Sequence, residues 1–317
     1  MRIATLATGG IGGFLAVRLA RTGREVACIA RGAQLAAIRS RGLRLDSATG
    51  SEMIVPWRMT DDPSEIGPVD VVIFAVKAPA LIQAAELCLP LLGPETVVVP
   101  FLNGVEAADR LMEVIPPKHV ADGVAYISTT IREPGVIAQT GDFARFIFAE
   151  RDNRPSPRLN ALRTALTEAG IDAPETDDIT REVWTKFVFL AALSGVTAAG
   201  RCTIGDVRAT PETAALFREV MAEVAALAQA REVALREGLL EQTWAFVESA
   251  PENMRASTAI DLDAGRPLET PWINGAVDRL SRQAGLDAPA NRNLTAVLAP
   301  WVAGRTLPKQ RQRRAAV

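Results

Sequence analysis

The sequence predicts an α/β chain of two parts, an N-terminal doubly wound domain on a parallel sheet and an all-helical C-terminal domain. Three observations carry this. Residues 1–31 read strand, glycine turn, helix, strand. Residues 69–76 and 96–102 are continuous apolar runs, the pattern of strands buried on both faces of a parallel sheet. Beyond residue 178 only helical periodicity follows.

In the opening unit, an apolar run at 3–7 leads into Gly9, Gly10, Gly12 and Gly13. A helical segment at 14–22 is closed by Gly23, and a second apolar run at 26–30 ends on Arg31. This is the βαβ opening of a Rossmann-like dinucleotide-binding domain. Ala7-Thr8-Gly9-Gly10-Ile11-Gly12 keeps the second and third glycines of G-x-G-x-x-G and has Ala7 at the first. Alanine fits that turn only with a negative φ. A pyrophosphate on the helix N-terminus needs bare backbone and free N–H groups, which these residues supply. The position that in NAD enzymes carries an acid for the ribose hydroxyls holds Arg31. A guanidinium pairs with a 2′-phosphate through its fork, so the cofactor reads as NADPH/NADP.

The remaining elements follow in chain order. Lys77 ends the strand at 69–76, a helix spans 79–92, and Asn103-Gly104 ends the strand at 96–102. Ligands of open α/β sheets bind at the carboxyl ends of the strands, the edge that Arg31, Lys77 and Asn103 share with the glycine turn. A helix at 105–114 precedes antiparallel strands at 126–131 and 136–139, joined by Glu133-Pro134-Gly135. A helix at 159–169 and a short edge strand at 171–174 complete the domain. The boundary falls near 175–178, giving residues 1–176 and 177–317. In the second part, residues 179–192 are apolar nearly all round and predict a buried central helix. Thr210-Pro211 caps a helix running to Gly238, and further helices are predicted at 251–263, 271–284 and 291–302.

Composition excludes several classes. The chain has 317 residues, is 48% hydrophobic and 23% charged, and carries a net charge of −2, so neither nucleic acid nor a membrane surface is an expected partner. The apolar run at 187–199 is short for a bilayer span. Cys28, Cys88 and Cys202 lie far apart in apolar surroundings and read as reduced core residues. Met1 leads directly into a strand, leaving no signal peptide, and a cytoplasmic protein is expected. The basic end, 308–317, reads as a solvated tail. His119, the only histidine, sits in a loop, against a His–Asp dehydrogenase. No metal cluster is expected.

Lys186 is a lone charge in the apolar helix. Burial lowers an ammonium pKa and suits it to give a proton to a carbonyl oxygen; alternatively the side chain snorkels to solvent. Ser257 and Asp261, four apart, share one helix face, with Glu269 beyond Gly265. These three either turn into one site or serve as caps and turns.

At this point the chain resembles the ketopantoate reductase (2-dehydropantoate 2-reductase) family over nearly its whole length. The resemblance rests on the glycine turn, Ala-Arg-Gly at 30–32, Val-Lys at 76–77, Asn-Gly at 103–104 and Trp-x-Lys at 184–186. It continues with Ser-x-x-x-Asp at 257–261, Gly-Arg-Pro-x-Glu at 265–269, Ile-Asn-Gly at 273–275 and Pro-x-Asn at 289–291. It implies a Rossmann domain, a helical domain and an active site in the cleft between them. It implies NADPH as donor, Lys186 as general acid, and Asn103, Ser257, Asp261 and Glu269 around substrate and nicotinamide. The substrate implied is a small 2-oxo acid, ketopantoate of pantothenate biosynthesis, handled by a monomer or homodimer. Three departures stand out. Leu190 and Ser194 replace asparagines, and Ile204 replaces a further polar residue, which makes the pocket more apolar. The alternatives are a paralogue reducing a less polar 2-oxo acid and a non-catalytic NADP-binding regulator, the second disfavoured by Lys186.

Overall fold

The alternation of side chains along the parallel strands sets the layers of the first unit. In the computed structural model, which describes residues 1–305, β1 (Arg2–Leu6) sits at the centre of a five-stranded sheet. Ile3 faces one core, and Ala4 and Leu6 face the other. β2 (Glu25–Ile29), β6 (Val69–Phe74) and β7 (Leu92–Pro100) split the same way: Cys28, Ile73 and Val99 join Ile3, while Ile29, Phe74 and Val98 join Leu6. The order is β5-β2-β1-β6-β7, with β5 at Arg58–Thr60 and all pairs parallel. One core is completed by α1 (Gly10–Arg21) and α5 (Pro157–Glu168). The other is completed by α3 (Leu81–Cys88) and α4 (Ala107–Leu111). Both faces of the sheet are therefore buried, which explains the continuous apolar runs.

The register aligns Leu6 with Ile29 and Phe74, and Phe74 with Pro100. Arg31, Lys77 and Asn103 each follow that row by two or three residues, so the carboxyl edge carries all three beside the glycine turn. The chain leaves β1 toward β2 on one side and pairs with β6 on the other, a topological switch point.

A second sheet runs β4-β3-β9-β8. Its hairpin is far longer than the two short strands expected: β8 spans Ala121–Glu133 and β9 spans Val136–Glu150. Helix α2 (Gly32–Arg41), β3 (Leu43–Ser47) and β4 (Gly50–Ile54), like β5, had no expectation attached. β3 and β4 are short and carry few apolar residues, so only pairing with β9 and packing on α1 makes them strands. The edge strand expected at 171–174 is reduced to a single bridge between Asp172 and Arg145. The helix expected at 79–92 keeps only α3 flanked by 3₁₀ turns, because β7 already begins at Leu92.

Backbone contacts divide the chain into two compact units, the first ending at Val183 and the second beginning at Trp184. Helix α6, Ile179–Ala199, runs through that division. It is 21 residues long, enough by length and hydropathy to cross a bilayer, but most of it is buried inside the protein. Trp184, Phe187, Val188, Ala191, Val196 and Ala198 are all core residues. After it in the chain come α7 (Ile204–Ala209), α8 (Pro211–Ala230), α9 (Leu239–Ser249), α10 (Ser257–Asp263), α11 (Asn274–Gln283) and α12 (Pro289–Leu298). Pro211 opens α8 as expected, but the Thr210 side chain makes no capping bond. Helix α8 ends at Ala230 rather than at Gly238, which instead caps α9 with a φ of +70°. Only the last part of the segment at 251–263 is helical, as α10. The basic tail at 308–317 lies outside the described residues.

Candidate active site

The glycines of the first unit divide their work. A Cβ on Gly12 would sit 2.3 Å from the Ala7 carbonyl oxygen, so only glycine lets α1 pack this closely on the turn. A Cβ on Gly10 would meet the Thr129 carbonyl at 2.8 Å, and one on Gly13 would meet Ile137 at 2.6 Å. A Cβ on Gly9 would meet nothing within 4 Å. Gly9 therefore borders open space at the start of α1, where a helix leaves its first N–H groups without intrahelical partners. No acid lies in the first turn of α1 to oppose a phosphate. Ala7 is not among the non-glycine residues of positive φ, which meets the condition its side chain imposes. This cradle fits a dinucleotide pyrophosphate.

The other expected cofactor residues are placed as follows. The Thr8 hydroxyl points inward, 3.0 Å from the Thr5 hydroxyl and 3.1 Å from the Ile29 carbonyl. Thr8 is 2% exposed, so only its backbone faces the turn. Ile11 packs against the first core. Arg31 caps α2 and is exposed, and its guanidinium has no bonded partner among the described residues. Lys77 is exposed and caps a 3₁₀ turn, while Asn103 is half-buried just past β7.

In the second unit, α6 carries Lys186 between the buried Trp184 and Phe187. The lysine keeps some accessible surface, yet protein atoms crowd its ammonium. Burial pulls its pKa down from 10.5 to about 8, and the charge of Glu269 pushes in the opposite direction. The tertiary fold thus brings Lys186 and Glu269 within electrostatic reach, from a helix and a distant loop. Two hydroxyls beside this pair in the chain, Thr185 Oγ1 and Thr270 Oγ1, are buried and bonded to nothing among the described residues. Sequence reasoning passed over both, since a buried threonine looks like any core residue until its partners are counted.

Ser257 and Asp261 differ in their surroundings. Ser257 is exposed at the start of α10, whereas Asp261 is 8% exposed and receives Arg266 Nε at 2.6 Å. Leu190 is half-buried, one turn beyond Lys186. Ser194 is 1% exposed, with its hydroxyl bonded to nothing among the described residues. Ile204 is wholly buried at the start of α7. Phe189, three residues after Lys186, packs edge-to-face with Phe246, ring centroids 5.2 Å apart, and about half of Phe246 is exposed. Asn274 and Asn291 hold α6 in place. Asn274 donates to the Ala191 carbonyl at 3.0 Å and to Asn291 at 2.9 Å, and Asn291 donates to Glu223 at 2.7 Å.

Residues 3–153 match the family described as ketopantoate reductase PanE/ApbA, and residues 178–301 match its C-terminal domain. The chain belongs to this family. It is an oxidoreductase acting on CH–OH groups with a nicotinamide cofactor, resembling 2-dehydropantoate 2-reductase. A 2-dehydropantoate 2-reductase of Mesorhizobium japonicum is 31% identical, covering 94% of this chain and 96% of its own. The crystal structure of a PanE/ApbA family ketopantoate reductase from Ralstonia eutropha JMP134 superposes with a TM-score of 0.87 at 29% identity, covering 95% and 98% of the two chains. A D-mandelate dehydrogenase solved with NADH and anilino(oxo)acetate has the same fold, with a TM-score of 0.87 at 20% identity, covering 95% and 98% of the two chains.

Proposed function

We propose that this ketopantoate reductase family member reduces a small 2-oxo acid to the 2-hydroxy acid with NADPH, Lys186 acting as general acid. The observation that carries the reading is Lys186 itself, an ammonium whose pKa burial has brought to about 8 beside the charge of Glu269. When bound, the nicotinamide supplies the hydride. The protein's part is the proton. Near neutral pH Lys186 is mostly charged and can donate Nζ–H to the oxo oxygen as negative charge develops there. An ordinary lysine would be a weaker acid by the same shift. Glu269 keeps Lys186 protonated against the cost of burial. In the first unit, Gly9 and the N-terminus of α1 would hold the pyrophosphate and the open Arg31 the 2′-phosphate.

For the substrate, the relatives' names support 2-dehydropantoate, which would place the reaction in pantothenate biosynthesis. The three free cysteines, Cys28 and Cys88 being buried, suit the cytoplasm. A second reading, a less polar 2-oxo acid, is favoured by Leu190 and Phe189, which give Lys186 half-buried apolar neighbours on the next turn of α6. NADPH oxidation across a panel of 2-oxo acids decides between them. Ketopantoate as the best substrate by kcat/KM supports the first. An acid with an apolar C3 group turned over much faster supports the second, and Leu190→Asn should then raise kcat/KM for ketopantoate. No oxidation with any 2-oxo acid removes both.

A further inference from the structure

One side chain touches both walls of the phosphate turn. Gln34, in the first turn of α2, donates from Nε2 to the Thr8 carbonyl at 3.0 Å. Its Oε1 accepts from the Gly135 N–H at 2.8 Å. The amide orientation follows from chemistry, since Gly135 N–H can only donate and the Thr8 carbonyl can only accept. Gly135 lies in the β8–β9 turn at a φ of +81°, and a Cβ there would sit 3.0 Å from Ala37 Cβ. Two further bonds clasp the same turn: Arg41 donates to the Pro134 carbonyl at 2.8 Å, and the Arg44 N–H to the Gly135 carbonyl at 2.9 Å. The β8–β9 hairpin in turn backs the glycine turn, through Thr129 against Gly10 and Ile137 against Gly13.

The Thr8–Gly9 peptide is trans, so its C=O and N–H point in opposite directions. Fixing the Thr8 carbonyl fixes the direction of the Gly9 N–H, at the residue that borders open space. Gln34 also stands three residues after Arg31, so the helix that carries the exposed cation is tied to the turn that takes the pyrophosphate. We propose that Gln34 is a positioning residue for the cofactor, locking the Thr8–Gly9 peptide and binding the glycine turn to the β8–β9 turn. The proposal rests on the nicotinamide-cofactor reading.

The test titrates NADPH and NADH separately into wild type, Q34L and Q34E, following nucleotide fluorescence, with thermal melting as control. Q34L removes both bonds. Q34E keeps an acceptor for Gly135 but sets an oxygen against the Thr8 carbonyl. Q34L should weaken NADPH and NADH by one common factor, about tenfold for an unsatisfied buried acceptor, and Q34E should weaken both at least as much, its added charge repelling the phosphates as well. Their kcat at saturating cofactor should stay near wild type. A role limited to holding the hairpin would show Q34L only as a lower melting temperature, with its affinity for both nucleotides unchanged. That result overturns the proposal, as does a loss confined to NADPH, which would mean that Gln34 acts through Arg31. A wild-type protein that binds neither nucleotide overturns the cofactor reading and this proposal together.

Discussion

Gly9 and Lys186 mark two candidate sites, one in each unit, and the two rest on opposite means. At the glycine turn the useful feature is missing side chains: Gly9 leaves space, Gly12 lets helix and turn approach, and a phosphate there would meet backbone N–H groups. At α6 the useful feature is one side chain whose chemistry is changed by what surrounds it. The turn's bareness is local and backbone-borne, so it travels with a short motif, even though Gln34 and the β8–β9 hairpin hold it from outside. The lysine's properties come from helices and a loop distant in the chain, so they depend on the whole fold of the second unit. Substitutions should therefore separate binding from chemistry.

The largest effect is expected at Lys186. A positioned general acid contributes about 10²–10⁴-fold, so Lys186→Ala should lower kcat by that order. Nucleotide affinity, set in the first unit, should be retained. The wild-type kcat for reduction should fall as pH rises through about 8, because the acid must be charged before the step, and the variant should lose that limb. Folded, nucleotide-binding Lys186→Ala protein reducing substrate at the wild-type rate would remove the lysine from the mechanism.

Arg31→Ala should come next, weakening NADPH by about 1.5–3 kcal/mol, the range for a charge-assisted bond, and leaving NADH nearly unchanged. Equal wild-type affinity for the two nucleotides, measured by titration, would sink this assignment.

The glycines sharpen the comparison within one turn. Gly12→Ala overpacks against the Ala7 carbonyl and should cost about 1–3 kcal/mol of stability. Gly9→Ala meets no protein atom, so its stability should stay within about 0.5 kcal/mol of wild type. Its nucleotide affinity should nonetheless drop about tenfold or more, because the methyl enters the pyrophosphate's space. Melting curves and titrations on the same samples check both, and a Gly9→Ala protein that binds normally would move the phosphate away from this residue.

The smallest effect is expected from Glu269→Gln. Removing the carboxylate removes what raises the Lys186 pKa, so the high-pH limb of kcat should move below 8, by up to about one pH unit. An unmoved limb would show that burial alone sets the lysine.

The sequence by itself determined the βαβ opening, the buried strands at β6 and β7, the helical second part, and the cation in place of an acid after β2. Glycine spacing, continuous apolar runs and helical periodicity each reflect interactions within a few residues, which is why they could be read directly. Tertiary structure decided the rest. β3 and β4 exist because β9 pairs with β3, and the hairpin runs well beyond its apparent length because β8 and β9 pair along nearly their whole span. Ser257 and Asp261 share a helical spacing yet part company, since Arg266 takes one and solvent the other. Asn274 and Asn291, quoted as parts of a motif, are the bonds that seat α6. Lys186 could be named from the chain, but its pKa near 8 could not: desolvation and the field of Glu269 are sums over neighbours that only the folded packing brings together.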